Sequence, residues 1–437
     1  MANVGVVSLG CPKNLTDSEE MMGTMVKAGH RLVQDVETAD VILVNTCAFV
    51  SAAEAETRST MQEFILWKQA TAGRTLVMTG CYTTKHRERI QTEFPQVDAF
   101  LGTADVPKIG EALTSILAQK PYFQISDPSS GEQKVYDRVL ATAPQTAYIK
   151  IAEGCNKGCS FCIIPKLRGR FRSRPLDDIV SEARSLSEQG VQEIALISQE
   201  SSYYGRDLGM KLGLETLLKS LVSIEGLKMI RFFYVYPENM SDELIELVRD
   251  YPQLCSYFDL PLQHVNSRVL KLMRRASTGE STRALIDRIR ERVPQATIRA
   301  NFIVGFPSET EEEFNELKDF LQYYQLDRVG IFPYSQEDGT VAATLPGQLP
   351  EAIKQARYQT LWTLQQQLSK KKLKQRVGTV LPVMVTHSSG YARSEFEAPE
   401  VDGVIQFKST QKFNAGDWIK LKLTKASAHD MQGSLVS

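Results

Sequence analysis

Short apolar runs alternate with helical patterns over the first hundred residues: VGVVSL from Val4, the stretch Asp17 to Lys27, VILVN from Val41, Ser51 to Ala70, then TLVMTG from Thr75. Strand-length runs separated by helix-period segments predict βαβ units, hence a parallel sheet with helices on its faces. The rhythm returns between Gln145 and Gln336 in AYIKIAEG, EIALIS, MIRFFYV, YFDLPL, IRANFIVG and RVGIFPY. Such strand and helix repeats predict a full or partial (β/α) barrel. One helix there is marked at both ends: Pro175 suits its first turn, Asp177 and Asp178 face its positive end, and Gly190 can cap its tail.

Between these sections, residues 126–143 (SDPSSGEQKVYDRVLATA) have the Pro, Gly and Ser content of a linker. Past Leu349 a charged run with apolar residues at helical spacing predicts a long helix ending near Gln375. The pattern then changes to short β-branched runs, VLPVMV, VIQFK and WIKLKL, broken by Gly and Asn, which predict a small antiparallel barrel. The expected division is 1–125, a linker over 126–143, a core over 144–372 and a terminal barrel over 373–437. The fold class is α/β with a small all-β module.

A formal net charge of -1 over 437 residues argues against strong non-specific nucleic-acid binding, which runs on surplus Lys and Arg. The opening MANVGVVSLG lacks the basic and then apolar run of a secretory signal, and no apolar stretch approaches bilayer length. The expectation is a cytoplasmic protein without a membrane partner. In a reducing compartment, seven cysteines point to metal binding, catalysis or burial before disulfides.

Three of them, Cys155, Cys159 and Cys162, form CxxxCxxC at the end of a predicted strand. A closed structural zinc site prefers four protein ligands, whereas a 4Fe-4S cube can be held by three thiolates with one iron left open. The alternative for this loop is a zinc site completed by a distant His such as His264. Phe161 would be an apolar wall inside the loop. Cys11, Cys47 and Cys81 each end a predicted parallel strand, and sites in open α/β sheets form at the carboxyl ends of strands. They are read as a second metal centre, with Gly10 and Gly80 letting the backbone approach a bulky ligand. Cys255 has no such partners and reads as a buried small hydrophobe.

CxxxCxxC with an aromatic before its last Cys resembles the radical S-adenosylmethionine enzymes, and the preceding GC, NTC and GC resemble their methylthiotransferase branch. Within that branch, GCPKNLTDSE, EGCNKGCSFCIIPKLRGRFRSR, LISQESSYYGRDLG, LPLQH, IVGFPSETEEEF and YSQEDGTVAA are similar to the enzymes that modify an aspartate of small-subunit ribosomal protein S-twelve. YARSEFEAPEVDG is similar to their closing TRAM module. The resemblance implies two 4Fe-4S clusters and S-adenosylmethionine. The cluster on Cys155, Cys159 and Cys162 would bind the cofactor at its open iron and pass it one electron, giving methionine and a deoxyadenosyl radical. The cluster on Cys11, Cys47 and Cys81 would hold the sulfur that a second S-adenosylmethionine methylates, and an electron donor and a sulfur donor are implied as partners. Gln199, Glu200 and Ser201 would contact the methionine part, and Val304 and Gly305 would lie near adenine. An unactivated carbon beside a carboxylate offers no acidic proton at neutral pH, so a radical is the suitable tool.

The basic run Lys166, Arg168, Arg170, Arg172 and Arg174 would share one side if extended, offering donors to a carboxylate or phosphate. The alternative substrate is a tRNA adenosine. Against it stand six basic and six acidic residues in Val377 to Ser437, a neutral balance where RNA binding shows a basic footprint. The pair Glu337 and Asp338 also resembles the ribosomal-protein enzymes. The acids Glu395, Glu397, Glu400 and Asp402 of the terminal module are expected to dock a basic partner such as a ribosomal protein.

Overall fold

The structure is a computed structural model that describes residues 1–131 and 138–436. Residues 132–137 of the expected linker lie outside the described residues. Strands β1 (Asn3–Ser8), β2 (Arg31–Leu32), β3 (Val41–Thr46), β4 (Thr75–Gly80), β5 (Ala99–Leu101) and β6 (Tyr122–Gln124) form a parallel sheet in the order β2-β1-β3-β4-β5-β6. Met21 and Met25 of helix Pro12–Lys27 pack on Val41, Leu43 and Val77, while Met61 and Phe64 of helix Ser51–Ala70 pack on Ile42, Val44 and Met78. The helices after β1 and β3 therefore cover opposite faces. That opens a crevice at the carboxyl ends of these two strands, the switch point where α/β sheets place their sites.

The central unit holds β7 (Thr146–Lys150), a small hairpin of β8 (Ala152–Glu153) and β9 (Arg172–Ser173), then β10 (Glu193–Ile197), β11 (Met229–Phe232), β12 (Tyr257–Gln263), β13 (Thr297–Val304) and β14 (Arg328–Pro333). The parallel ladders β11-β10-β7 and β12-β13-β14 make two three-stranded sheets. Between them the wall is continued by the bond from Val235 N to Asp259 O (3.1 Å), by Tyr234 N to Asp259 Oδ2 (2.9 Å) and by a bridge between Ile230 and Leu254. The expected barrel is thus a partial one. The helix with the predicted end signals spans Leu176–Glu188, with Pro175 at its N-cap.

These strands are buried on both faces, with different chemistry on each. Ile149, Ile194, Leu196, Ile230, Phe232, Phe258 and Leu260 pack against the outer helices. The alternate positions Lys150, Glu193, Arg231 and Asp259 are charged, yet each is buried. At one end of this inner face Glu193 accepts from Arg231 Nε (2.7 Å) and Arg393 Nη2 (2.5 Å). Burial alone would raise the Glu193 carboxyl, but Arg393 and Arg231 outweigh it and hold it at about 2.

Arg393 belongs to the terminal module, a closed barrel β15-β16-β17-β19-β18. Its strands are β15 (Val380–His387), β16 (Tyr391–Arg393), β17 (Ile405–Phe407), β18 (Trp418–Ala426) and β19 (Met431–Leu435). Helix Glu351–Gln375 places Leu361 and Leu368 in the central core and Leu373 in the small barrel's core. It is shared by both units. The acids of the module are engaged inside the chain, which corrects the expectation that they await a partner. Glu395 Oε2 accepts from Ser256 N (3.0 Å) and Asp402 from the Tyr257 hydroxyl (2.7 Å). Glu397 is buried and accepts from Ser394, and Glu400 accepts from the Tyr148 hydroxyl (3.3 Å). The loop they lie on plugs the inner face of the central strands. Among the described residues no helix is long and apolar enough to cross a membrane.

Candidate functional site: two cysteine triads joined by a short helix

The first triad hangs from the β8/β9 hairpin. Gly154 opens the loop at φ +78, where an added Cβ would stand 2.2 Å from Arg170 O, so only glycine fits this turn. Cys155 N donates to Gly169 O (3.1 Å), closing the loop, and Cys162 N donates to Cys159 O (3.1 Å). Ser160 is tied to Leu272 O and Met273 O. Arg275 Nη1 lies 3.7 Å from Cys159 Sγ, while its guanidinium sits over the Tyr236 ring, and Lys157 N donates to Cys155 Sγ (3.4 Å). Phe161 packs with Val269, Met273, Phe306 and Tyr334. Burial pushes the Cys155 thiol up to about 11 and Cys162 up to about 12. Three thiols supplied by one short loop form a donor set that fits a 4Fe-4S cube, whose binding requires each of them as thiolate.

The second triad uses three strand ends. Cys11 is the N-cap of helix Pro12–Lys27, after β1. Cys47 follows β3, its N–H and C=O both bonded to the Thr57 hydroxyl (3.3 and 2.8 Å). Cys81 opens the short helix Cys81–Lys85 after β4, and burial pushes its thiol up to about 12. Asn14 links the three turns, bonding to Leu9 O before Cys11 and Thr46 O before Cys47 and lying 3.8 Å from Cys81 Sγ. The flanking glycines serve chain against chain. A Cβ on Gly10 would meet Cys47 Sγ at 2.9 Å, and one on Gly80 would meet Thr46 O at 2.6 Å. No three His, Cys, Asp or Glu among the described residues converge on a single ion. A cubane gives each thiolate its own iron and needs no such convergence.

The two triads are joined by helix Ile164–Arg168, which leaves the first loop directly after Cys162 and Ile163. Ile163 and Leu167 pack into the N-terminal core, and Thr103 Oγ1 donates to Leu167 O (2.7 Å). Arg168, buried, reaches Asp17 Oδ2 (2.6 Å), Glu153 Oε2 (3.2 Å) and Asn14 Oδ1. Lys150 Nζ adds a bond to Asp17 Oδ1 (2.5 Å). Arg168 and Lys150 outweigh burial and hold the Glu153 carboxyl below its usual range. The basic run therefore does not present one side to a partner. Lys166 reaches Gly339 O, Arg172 reaches Arg170 O and Pro128 O, and Arg174 pairs with Glu182.

At the carboxyl end of β10, Gln199 Nε2 donates to Glu153 Oε1 (2.7 Å). Glu200 is 1% exposed, and its Oε1 accepts from Asn239 (2.8 Å) and faces Lys157 Nζ (3.4 Å). Burial pushes its carboxyl up to about 7. Glu200 Oε2 and Gln199 Oε1 are buried without a partner, which suits a cationic ligand such as S-adenosylmethionine. Ser201 bonds to Ser198 and starts a short turn. Val304 is fully buried in the outer core, and Gly305 packs against Lys354 of the long helix. His264 accepts from Asn266 N and faces Glu309. Cys255 packs with Met229, Tyr257 and Met384, as a small hydrophobe does. Glu337 is buried and bonds to Ser51 N and Lys85 Nζ, so it clasps the N-terminal unit. Sequence reasoning did not single out Asn14, Asp17, Glu153, Lys157 or Arg275. Their one signal was position, since Asn14 lies three residues after Cys11 and Glu153 two before Cys155.

Residues 149–321 match the radical SAM superfamily, residues 3–102 the uncharacterized protein family UPF0004, and residues 377–436 the TRAM domain. Solved structures with this fold include the radical S-adenosylmethionine methyltransferase TsrM from Kitasatospora setae (TM-score 0.56, 15% identity, 76% of this chain and 72% of that one). Three curated relatives carry the same name, ribosomal protein uS12 methylthiotransferase RimO. The Symbiobacterium thermophilum protein is 42% identical over 98% of this chain and 90% of its own length. That of Geobacter sulfurreducens is 40% identical (99% and 98%), and that of Caldicellulosiruptor saccharolyticus 41% (100% and 100%). Identity of this order along whole chains, with all three units in the same order, shows that this chain belongs to the radical SAM methylthiotransferases of the RimO family.

Proposed function

We propose that the chain transfers a methylthio group to the β-carbon of an aspartate of ribosomal protein uS12, using S-adenosylmethionine as radical source and methyl donor. Cys155, Cys159 and Cys162 would hold one 4Fe-4S cluster, and Cys11, Cys47 and Cys81 a second. When bound, the clusters would supply one-electron cleavage of the cofactor at the first site and a sulfur atom at the second. The observation that carries this reading is the helix Ile164–Arg168, which leaves the first triad and ends beside the second. The two centres thereby serve one reaction.

The chain's own groups have defined tasks. Glu200 Oε2 would accept from the ammonium of the cofactor, with Gln199 beside it. Phe161, Phe306 and Tyr334 keep water from the loop. Lys157 N–H and Arg275, which face Cys155 Sγ and Cys159 Sγ, would help to spread the negative charge of thiolates that hold a cluster. Electrons and sulfur come from outside donors, and uS12, free or in the assembling subunit, is met in the cytoplasm. The units over 1–125, 144–372 and 373–437 would bind the second cluster, bind the first with the cofactor, and close the inner face of the partial barrel. The test is anaerobic incubation of reconstituted enzyme, cofactor, reductant and sulfide with uS12 or with tRNA, followed by mass spectrometry. Methylthiolated aspartate in uS12 supports the proposal, and modified adenosine in tRNA alone overturns it.

A further inference from the structure

We propose that Asn14 is the positioning residue of the second cluster and that Arg168, reaching over from the first cysteine loop, is its anchor. The inference rests on the two-cluster reading above. The Asn14 side chain touches the turns that carry all three cysteines. Its Nδ2 donates to Leu9 O (3.0 Å), two residues before Cys11, and to Thr46 O (2.9 Å), directly before Cys47. Its Oδ1 lies 3.8 Å from Cys81 Sγ and accepts from Arg168 Nη2. The amide can be oriented only one way, because the two carbonyls accept and the guanidinium donates. Asn14 is itself fully buried, and its own C=O accepts from Asn45 Nδ2 (2.8 Å).

Arg168 does two things here. It fixes the amide, and it brings a buried positive charge to three groups that must all be thiolates when iron is bound. Its other bonds, to Asp17 and Glu153, keep it in place. Adding one electron to the second cluster raises its negative charge, so a nearby cation favours the reduced form and a nearby carboxylate disfavours it. Asn14→Asp separates the two roles. It keeps an oxygen for Arg168 and removes both N–H donors, turning oxygen toward the Leu9 and Thr46 carbonyls.

The test uses full-length protein carrying Cys155→Ala, Cys159→Ala and Cys162→Ala, so that only the second cluster reports, reconstituted with iron and sulfide. If this background holds no cluster, the two-cluster reading falls. If it does, Asn14→Asp is expected to lose iron to a chelator about 10- to 100-fold faster. Arg168→Met is expected to lose it faster too, with Arg168→Lys in between. In a dithionite titration followed by electron paramagnetic resonance, Arg168→Met shifts the midpoint to more negative values and Asp17→Asn to more positive ones. Opposite signs from two neighbours separate a charge effect from loosened structure. Unchanged iron loss in Asn14→Asp, or equal midpoints in the Arg168 and Asp17 variants, overturns the proposal.

Discussion

One cysteine triad is supplied by a single loop between Cys155 and Cys162, the other by three strand ends from Cys11 to Cys81. The first needs little beyond its own hairpin: Gly154, the Cys155–Gly169 bond and one flanking turn set its shape. The second exists only when β1, β3 and β4 pair in register and two buried side chains, Thr57 and Asn14, hold the turns. A local site is robust to changes elsewhere, whereas a distributed one inherits the tolerances of a whole sheet.

The largest effects should come from removing each triad in turn. Cys155→Ala with Cys159→Ala and Cys162→Ala is expected to abolish 5′-deoxyadenosine formation and to leave about half the iron, by chromatography and iron assay. Cys11→Ala with Cys47→Ala and Cys81→Ala is expected to leave a similar iron content and some cofactor cleavage, with no methylthiolated product. Loss of all cleavage in the second variant would merge two sites that look separable.

Glycine substitutions probe the same contrast more gently. Gly80→Ala, at φ +100 and meeting Thr46 O, is expected to destabilise the protein by about 1–3 kcal/mol and to lower the iron at the second site first. Gly158→Ala meets nothing within 4 Å and is expected to leave melting temperature and iron content unchanged, although it lies inside the first loop. The smallest effect concerns pH. The Glu193 carboxyl is held near 2, below its ordinary 4.5. Its contribution is full above pH 4.5 and fades as pH falls toward 2. Thermal melting of Glu193→Gln should therefore lose less stability than wild type over that descent.

How much could be read in advance followed the same division between local and distributed. CxxxCxxC is a contiguous word. VILVN and TLVMTG marked β3 and β4 because both faces of a parallel sheet are apolar. In TAYIK, EIALI and MIRF the alternation was equally plain, but it could not tell an inner face filled with ion pairs from a wet one. Glu193 and Arg231 can be buried because they pair with each other and because Arg393, far along the chain, adds a second partner for Glu193 while Ser394 O and Glu395 O accept from Arg231. The strand β16, in YAR, was missed because three residues are too few to show a period, and β19, in MQGSL, because only Met431 of it is fully buried. The acids from Glu395 to Asp402 and the basic run from Lys166 were legible as charge. Their partners, Ser256, Tyr257, Asp17 and Glu182, lie at separations that no periodicity encodes.

Helix Ile164–Arg168 begins two residues after the last cysteine of one triad and ends beside the other. Because an α-helix turns about 100° per residue and rises about 1.5 Å, one residue added within it would swing the guanidinium away from Asn14 while leaving both cysteine sets intact. The interval from Cys162 to Arg168 is a ruler cut in the chain itself. The spacing of the two cysteine sets is fixed at synthesis, at any protein concentration, and a lineage can change its length only by rebuilding both ends together.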